Sequence, residues 1–165
     1  MTINTRCVAR MPRRRRRCGV VMVETAMIIL LYVSLIAAIT DFGMAIFIKA
    51  TFQHAVREGV RYAVTYQTMS GLGQDASIKS WVKTNSMGFL KGTAGDSYIY
   101  IRYYDPSTFA VTSANSPNNI VKVSIEGYQW KWMVPLWRSK TPITISAMSA
   151  DRMEGLPTGS NPPAR

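Results

Sequence analysis

Arg13-Arg14-Arg15-Arg16-Arg17-Cys18-Gly19-Val20-Val21-Met22-Val23-Glu24-Thr25 is the stretch on which the reading of this chain turns. Five consecutive arginines cannot enter a bilayer. Residues 20–40, by contrast, are 21 positions with a single charge, Glu24. As a helix at ~1.5 Å per residue they extend roughly 31 Å, the hydrocarbon thickness of a bilayer. The join therefore reads as a membrane anchor with its basic side held in the cytoplasm and the remainder outside. A carboxylate near the end of a spanning helix costs ~1–3 kcal/mol if ionised, less if it reaches the interface. Cleavage after Gly19 would supply a partner for it. The new amino group on Val20 is an i,i+4 neighbour of Glu24 on the same helical face, and a neighbouring subunit's amino group could serve equally. Such a pair fixes axial register more than it adds stability.

Outward from this join, the 165-residue chain has room for a membrane segment and one small domain. Its net charge of +11 resembles that of a nucleic-acid binder, but the distribution argues otherwise. Residues 1–19 hold seven arginines (Arg6, Arg10 and Arg13 to Arg17) and no acid, leaving +4 for the rest. No basic groove or recognition motif accompanies the run, so no nucleic-acid partner is expected. Both cysteines, Cys7 and Cys18, also precede Val20. The outer part can form no internal disulfide and must rely on its core. With His54 the only histidine, a zinc site built on Cys7 and Cys18 lacks ligands.

A secretory signal peptide would have an apolar core of ~7–15 residues and a small-residue cleavage site. Here the apolar run is longer, and it resumes after Asp41 as far as Lys49. No proline occurs between Val20 and Leu90, so the helix is expected to run from 20 to about 66 before Ser70-Gly71-Leu72-Gly73 breaks it.

A basic leader, a glycine, four residues, a glutamate and a long apolar helix resemble the type IV prepilin pattern, cut by a membrane prepilin peptidase after the glycine. Asp41-Phe42-Gly43-Met44-Ala45 and residues 52–65 (FQHAVREGVRYAVT) resemble the "DFGRA" and "AAREGARYAVT" blocks of TadE-like proteins, the minor pseudopilins of tight-adherence (Flp pilus) systems. Thr25 stands where these proteins usually carry an aromatic residue. The resemblance covers about residues 17–66. It implies a bacterial inner-membrane protein with one span and an extracytoplasmic domain. Its implied partners are a prepilin peptidase, other pilins and pseudopilins, the inner-membrane pilus assembly platform and membrane lipid.

Ala55, Gly59 and Ala63 recur every four residues and give one face almost no side-chain bulk, which lets a helix or sheet approach closely. Arg57 and Arg61 stand one turn apart on another face, with Glu58 able to pair with Arg61 at i,i+3. A solvated, salt-bridged face and a contact with acidic groups of a partner both fit those three residues. Asp41, roughly 25 Å along the helix from Glu24, reads as an interfacial residue.

The outer domain is expected over residues 67–154. Residues 75–83 read as a short helix capped by Asp75, with Ile78, Trp81 and Val82 on one face and Gly88 as a stop. Strands are expected at 98–104, 109–112, 120–126 and 142–149. Gly127 permits a bulge that sets Tyr128, Trp130 and Trp132 on one face, and Pro135 ends that run. These aromatics and Trp137 read as core in preference to a glycan site, with an interfacial belt near the membrane as a further reading. Residues 155–165 read as a disordered tail. The fold class is α+β: a long transmembrane helix continuing into a small domain with a short helix and an antiparallel sheet of about three to four strands. No catalytic spacing, phosphate loop, cofactor motif or metal-ligand cluster occurs, so the chain reads as a peptidase substrate and not as an enzyme. The alternative is an uncleaved single-pass anchor presenting a small binding domain in the cell envelope.

Overall fold

The computed structural model describes residues 15–132, 141–156 and 161–165, with side chains from Gly19 onward. Most of the basic leader, Cys7, Pro135 and Trp137 lie outside the described residues, as does the side chain of Cys18. The chain divides into two units, Met1–Ile39 and Thr40–Arg165.

Unit 1 holds the first part of helix α1 (Arg15–Val64). Its large apolar side chains, among them Met27, Leu31 and Ile39, stay exposed. From Gly19 the helix is long and apolar enough to cross a membrane. Two of its hydroxyls fold back on the helix's own carbonyls: Thr25 Oγ1 donates to Val21 O and Ser34 Oγ to Leu31 O, each at 2.8 Å. That is how a hydroxyl is satisfied where water is absent.

In unit 2, α1 buries Asp41, Ala45, Ile48, Phe52, Ala55, Val56, Gly59, Val60 and Ala63, a three-and-four spacing that lays one stripe on the core. The helix stops through its backbone and not through the glycines at 71 and 73. Tyr66 adopts φ 54°, Gln67 N donates to Tyr62 O and Tyr66 N to Ala63 O, the paired bonds of a left-handed C-terminal cap.

Helix α2 (Gln74–Asn85) follows, with Gly73 as its N-cap and no side-chain cap bond. The expected capping by Asp75 is therefore corrected: Asp75 sits inside the first turn and turns to Tyr103 and Arg165 instead. Ile78 and Val82 are buried, and Trp81 stacks on Tyr62 with ring centroids 5.2 Å apart. A one-turn helix, α3 (Gly92–Asp96), was not foreseen; two of its five residues are glycine, which hides it from propensity.

The sheet comprises β1 (Ile99–Tyr104), β2 (Val111–Thr112), β3 (Ile120–Trp130) and β4 (Ile143–Arg152), all antiparallel in the order β2-β1-β3-β4. The antiparallel sheet is as expected, and within it β3 passes β2 and pairs with the other edge of β1. β2 is only two residues long and gives a long strand too little backbone to pair with. The bulge falls where Gly127 allows it, at φ 75°, shifting the register between Ile125 and Tyr128. The extra residue resets parity, so Tyr128 and Trp130 join Val121, Val123 and Ile125 against the core. Tyr128 meets Phe52 edge to face at 4.9 Å.

Residues 161–165 are docked on unit 2, where composition predicts a disordered tail. Gln74 N donates to Ala164 O, and Asn115 Nδ2 donates to Pro163 O. Arg165 binds Asp75 Oδ2 through Nη2 at 2.7 Å and Nε at 2.9 Å, with its guanidinium 4.6 Å from the Tyr103 ring centroid. A charge pair and ring stacking thus hold a segment that hydrophobicity alone would not.

Candidate functional site

Gly19, Val20 and Glu24 lie near the start of α1, all exposed. Val20, Val23, Glu24 and Met27 share one shallow concavity with Gly19, so the i,i+4 relation puts the Val20 backbone and the Glu24 carboxylate on one face. A Cβ added at Gly19 would meet no atom within 4 Å. The glycine is therefore not required by packing, and its place in the helix needs another reason.

The small-residue face is used inside the chain. Ala55 and Ala63 are fully buried, and a Cβ on Gly59 would collide with Val82 Cγ2 of α2, with Val123 Cγ1 of β3 at 3.7 Å. The close approach expected of Ala55, Gly59 and Ala63 is thus made by α2 and the sheet, leaving that face unavailable to another subunit. Arg57 and Arg61 are exposed and Glu58 is half-buried. The expected Glu58–Arg61 pair is not made: the ion pairs among the described residues are Lys83–Asp96, Arg102–Glu126 and Arg165–Asp75.

Asp41 corrects a second expectation. Where an interfacial carboxylate would stay open to water, Asp41 is buried, 1 % exposed. Sequence reasoning also missed the group around Asp75. Tyr103 Oη donates to Asp75 Oδ1 at 2.9 Å while Arg165 takes Oδ2. Burial first, and the Asp75 charge second, push the Tyr103 phenol well above its ordinary range. On the outer face of the sheet Arg102 grips Glu126 through two bonds, and Ser124 Oγ donates to the same carboxylate at 2.7 Å. The Arg102 hydrogen bond, followed by that of Ser124, lowers the Glu126 carboxyl. No local signal marks either group, because each joins residues far apart in sequence.

These features define a chain with one exposed apolar helix suited to a membrane anchor, carrying a small α+β unit whose core is built on the same helix. Residues 19–61 match the model of the TadE-like protein family, and over those residues the chain is similar to that family. The match takes in Gly19, Glu24, residues 41–45 and the 52–61 block. Comparison with curated proteins and with solved structures finds no significant match.

Proposed function

We propose that this chain is a minor pseudopilin of a tight-adherence pilus system. It is inserted into the bacterial inner membrane with its arginine leader in the cytoplasm and its α+β unit outside. A prepilin peptidase cuts it after Gly19, so the chain is a substrate and not an enzyme. The mature protein then acts in pilus initiation or assembly by packing α1 against other pilins and pseudopilins at the assembly platform. One observation carries this reading. Gly19, Val20 and Glu24 stand exposed on one face at the head of an apolar helix, inside a TadE-like match that begins at Gly19. Glu24 then has a partner in the amino group freed on Val20, its own or a neighbour's. Arg57, Glu58 and Arg61 remain on the accessible face of α1 for contact with acidic and basic groups of a partner.

N-terminal sequencing of the membrane-bound protein tests the reading. Val20 as first residue is the expected result. Met1, or Thr2 after methionine removal, would overturn it and favour the uncleaved anchor. Gly19→Lys should block processing without blocking insertion; with open space around the site, the larger side chain tests the peptidase and not the fold.

A further inference from the structure

Between Glu24 and Lys49 the only charged residue is Asp41, and Asp41 is 1 % exposed. The exposed surface of α1 therefore carries no charge from Thr25 to Ile48. Its exposed apolar side chains continue past residue 40 to Phe42, Ile46 and Phe47, which are 61 %, 55 % and 46 % exposed. From Val20 to Phe47 is 28 residues. At ~1.5 Å each they extend roughly 42 Å, which matches a bilayer with its headgroup layers and exceeds the hydrocarbon core alone.

A second element of unit 2 comes to the same level of α1. Phe89 sets its ring edge-on to Phe47 and Phe52, centroids 6.3 and 6.2 Å away, and so holds the turn after α2 against the helix. Met87, on that turn, lies with its sulfur 4.0 Å from Thr51 Oγ1, yet is 71 % exposed. Its backbone is left-handed, at φ 51°, a conformation that non-glycine residues adopt at a cost. Met87 thus presents a largely exposed apolar side chain beside α1. Lys49 and Lys91 are exposed beside this group, Lys91 running its stem along Gly88. Apolar tips flanked by ammonium groups on flexible stems suit a lipid surface with anionic headgroups.

We propose that Phe42, Ile46 and Phe47 of α1 and Met87 of the turn after α2 seat this end of unit 2 in the lipid headgroup layer. The domain then touches the membrane directly, with Lys49 and Lys91 on the phosphates. This rests on the membrane-anchor reading. It also gives the burial of Asp41 a reason, since at that depth a carboxylate open to lipid would be costly.

The test uses the full chain with Cys7→Ser and Cys18→Ser, reconstituted in phosphatidylcholine–phosphatidylglycerol vesicles. Nitroxide labels are placed singly at Met87→Cys, at Leu35→Cys in the anchor and at Val111→Cys, an exposed site elsewhere on unit 2. The Met87→Cys label should collide with a water-soluble nickel chelate several-fold less often than the Val111→Cys label, while remaining open to oxygen. Equal chelate access at the two, with Leu35→Cys buried in lipid, would overturn the proposal and leave the anchor standing. A Leu35→Cys label in water would overturn the anchor and the proposal together. Shielding of Met87→Cys from oxygen as well as chelate would mean that protein covers it, which also overturns the proposal.

Discussion

Replacing Gly59 by alanine should reverse the usual effect of that substitution. Alanine in a helix interior is ordinarily favoured over glycine by ~1 kcal/mol. At Gly59 the added methyl runs into Val82 Cγ2, with Val123 Cγ1 at 3.7 Å and Ile78 Cγ2 at 3.9 Å closing the space beside it. Val82 is fully buried and β-branched, so it cannot swing away without α2 moving off α1. Overpacking of this kind costs ~1–3 kcal/mol, which leaves Gly59→Ala neutral to ~2 kcal/mol destabilising. Gly43, on the same helix within unit 2, has nothing within 4 Å of an added Cβ, and Gly43→Ala should keep the full gain of ~1 kcal/mol. The two single-methyl changes should thus differ by ~1–3 kcal/mol. At about 3–5 °C per kcal/mol for a unit of this size, their melting midpoints separate by roughly 3–15 °C. Near-UV circular dichroism of the full chain in detergent reads the difference. Gly59→Ala combined with Val82→Ala should be less damaging than the separate effects summed, by ~1 kcal/mol or more. If Gly59→Ala raises the midpoint as Gly43→Ala does, or shows no coupling to Val82, the close approach of α2 is not what Gly59 serves.

Asp75→Ala releases both Tyr103 and Arg165 and should cost about 1 kcal/mol in a urea titration, the partial exposure of the pair keeping it at the low end. Tyr103, raised above its ordinary 10.0, contributes stability that is complete below pH ~10 and is lost as pH climbs beyond it. Tyr103→Phe should flatten that alkaline fall, and an unchanged profile would remove the phenol from the account. Glu126, lowered by Arg102, contributes stability present above pH ~4.5 and lost as pH drops further. Glu126→Gln should therefore blunt the acid limb of the urea midpoint, and a limb as steep as before would refute the assignment. Glu24→Ala should leave the protein in the membrane yet impair pilus assembly, and pili formed at the normal level would exclude a pairing role for the carboxylate.

What the sequence reveals of this fold depends on how far apart the cooperating residues lie. The apolar helix, α2, the strands and the Gly127 bulge are legible because each rests on neighbours within a turn or a strand. Tyr128 can be assigned to the core only by counting one extra residue at a glycine, and that count needs no tertiary knowledge. The stripe of Ala55, Gly59 and Ala63 shows where such counting stops. Spacing announces that something approaches the helix closely, but a partner's helix and the chain's own α2 leave the same mark on the sequence. Asp41 is the sharper case. Its position predicts an interfacial carboxylate because sequence distance from Glu24 is the only ruler available. Its burial is a property of the folded unit, which no local pattern records. The same holds for Arg165, whose partners Asp75 and Tyr103 are 90 and 62 positions away along the chain. A polar, proline-rich composition correctly says that residues 161–165 have no hydrophobic reason to be ordered. It is silent on a carboxylate and a ring that give them an electrostatic one. Gly19 differs from both cases, because nothing in the fold requires it. Gly19 stands in open space on a helix that alanine would suit better. A residue that packing does not explain and propensity opposes is best understood through what a second molecule does to it.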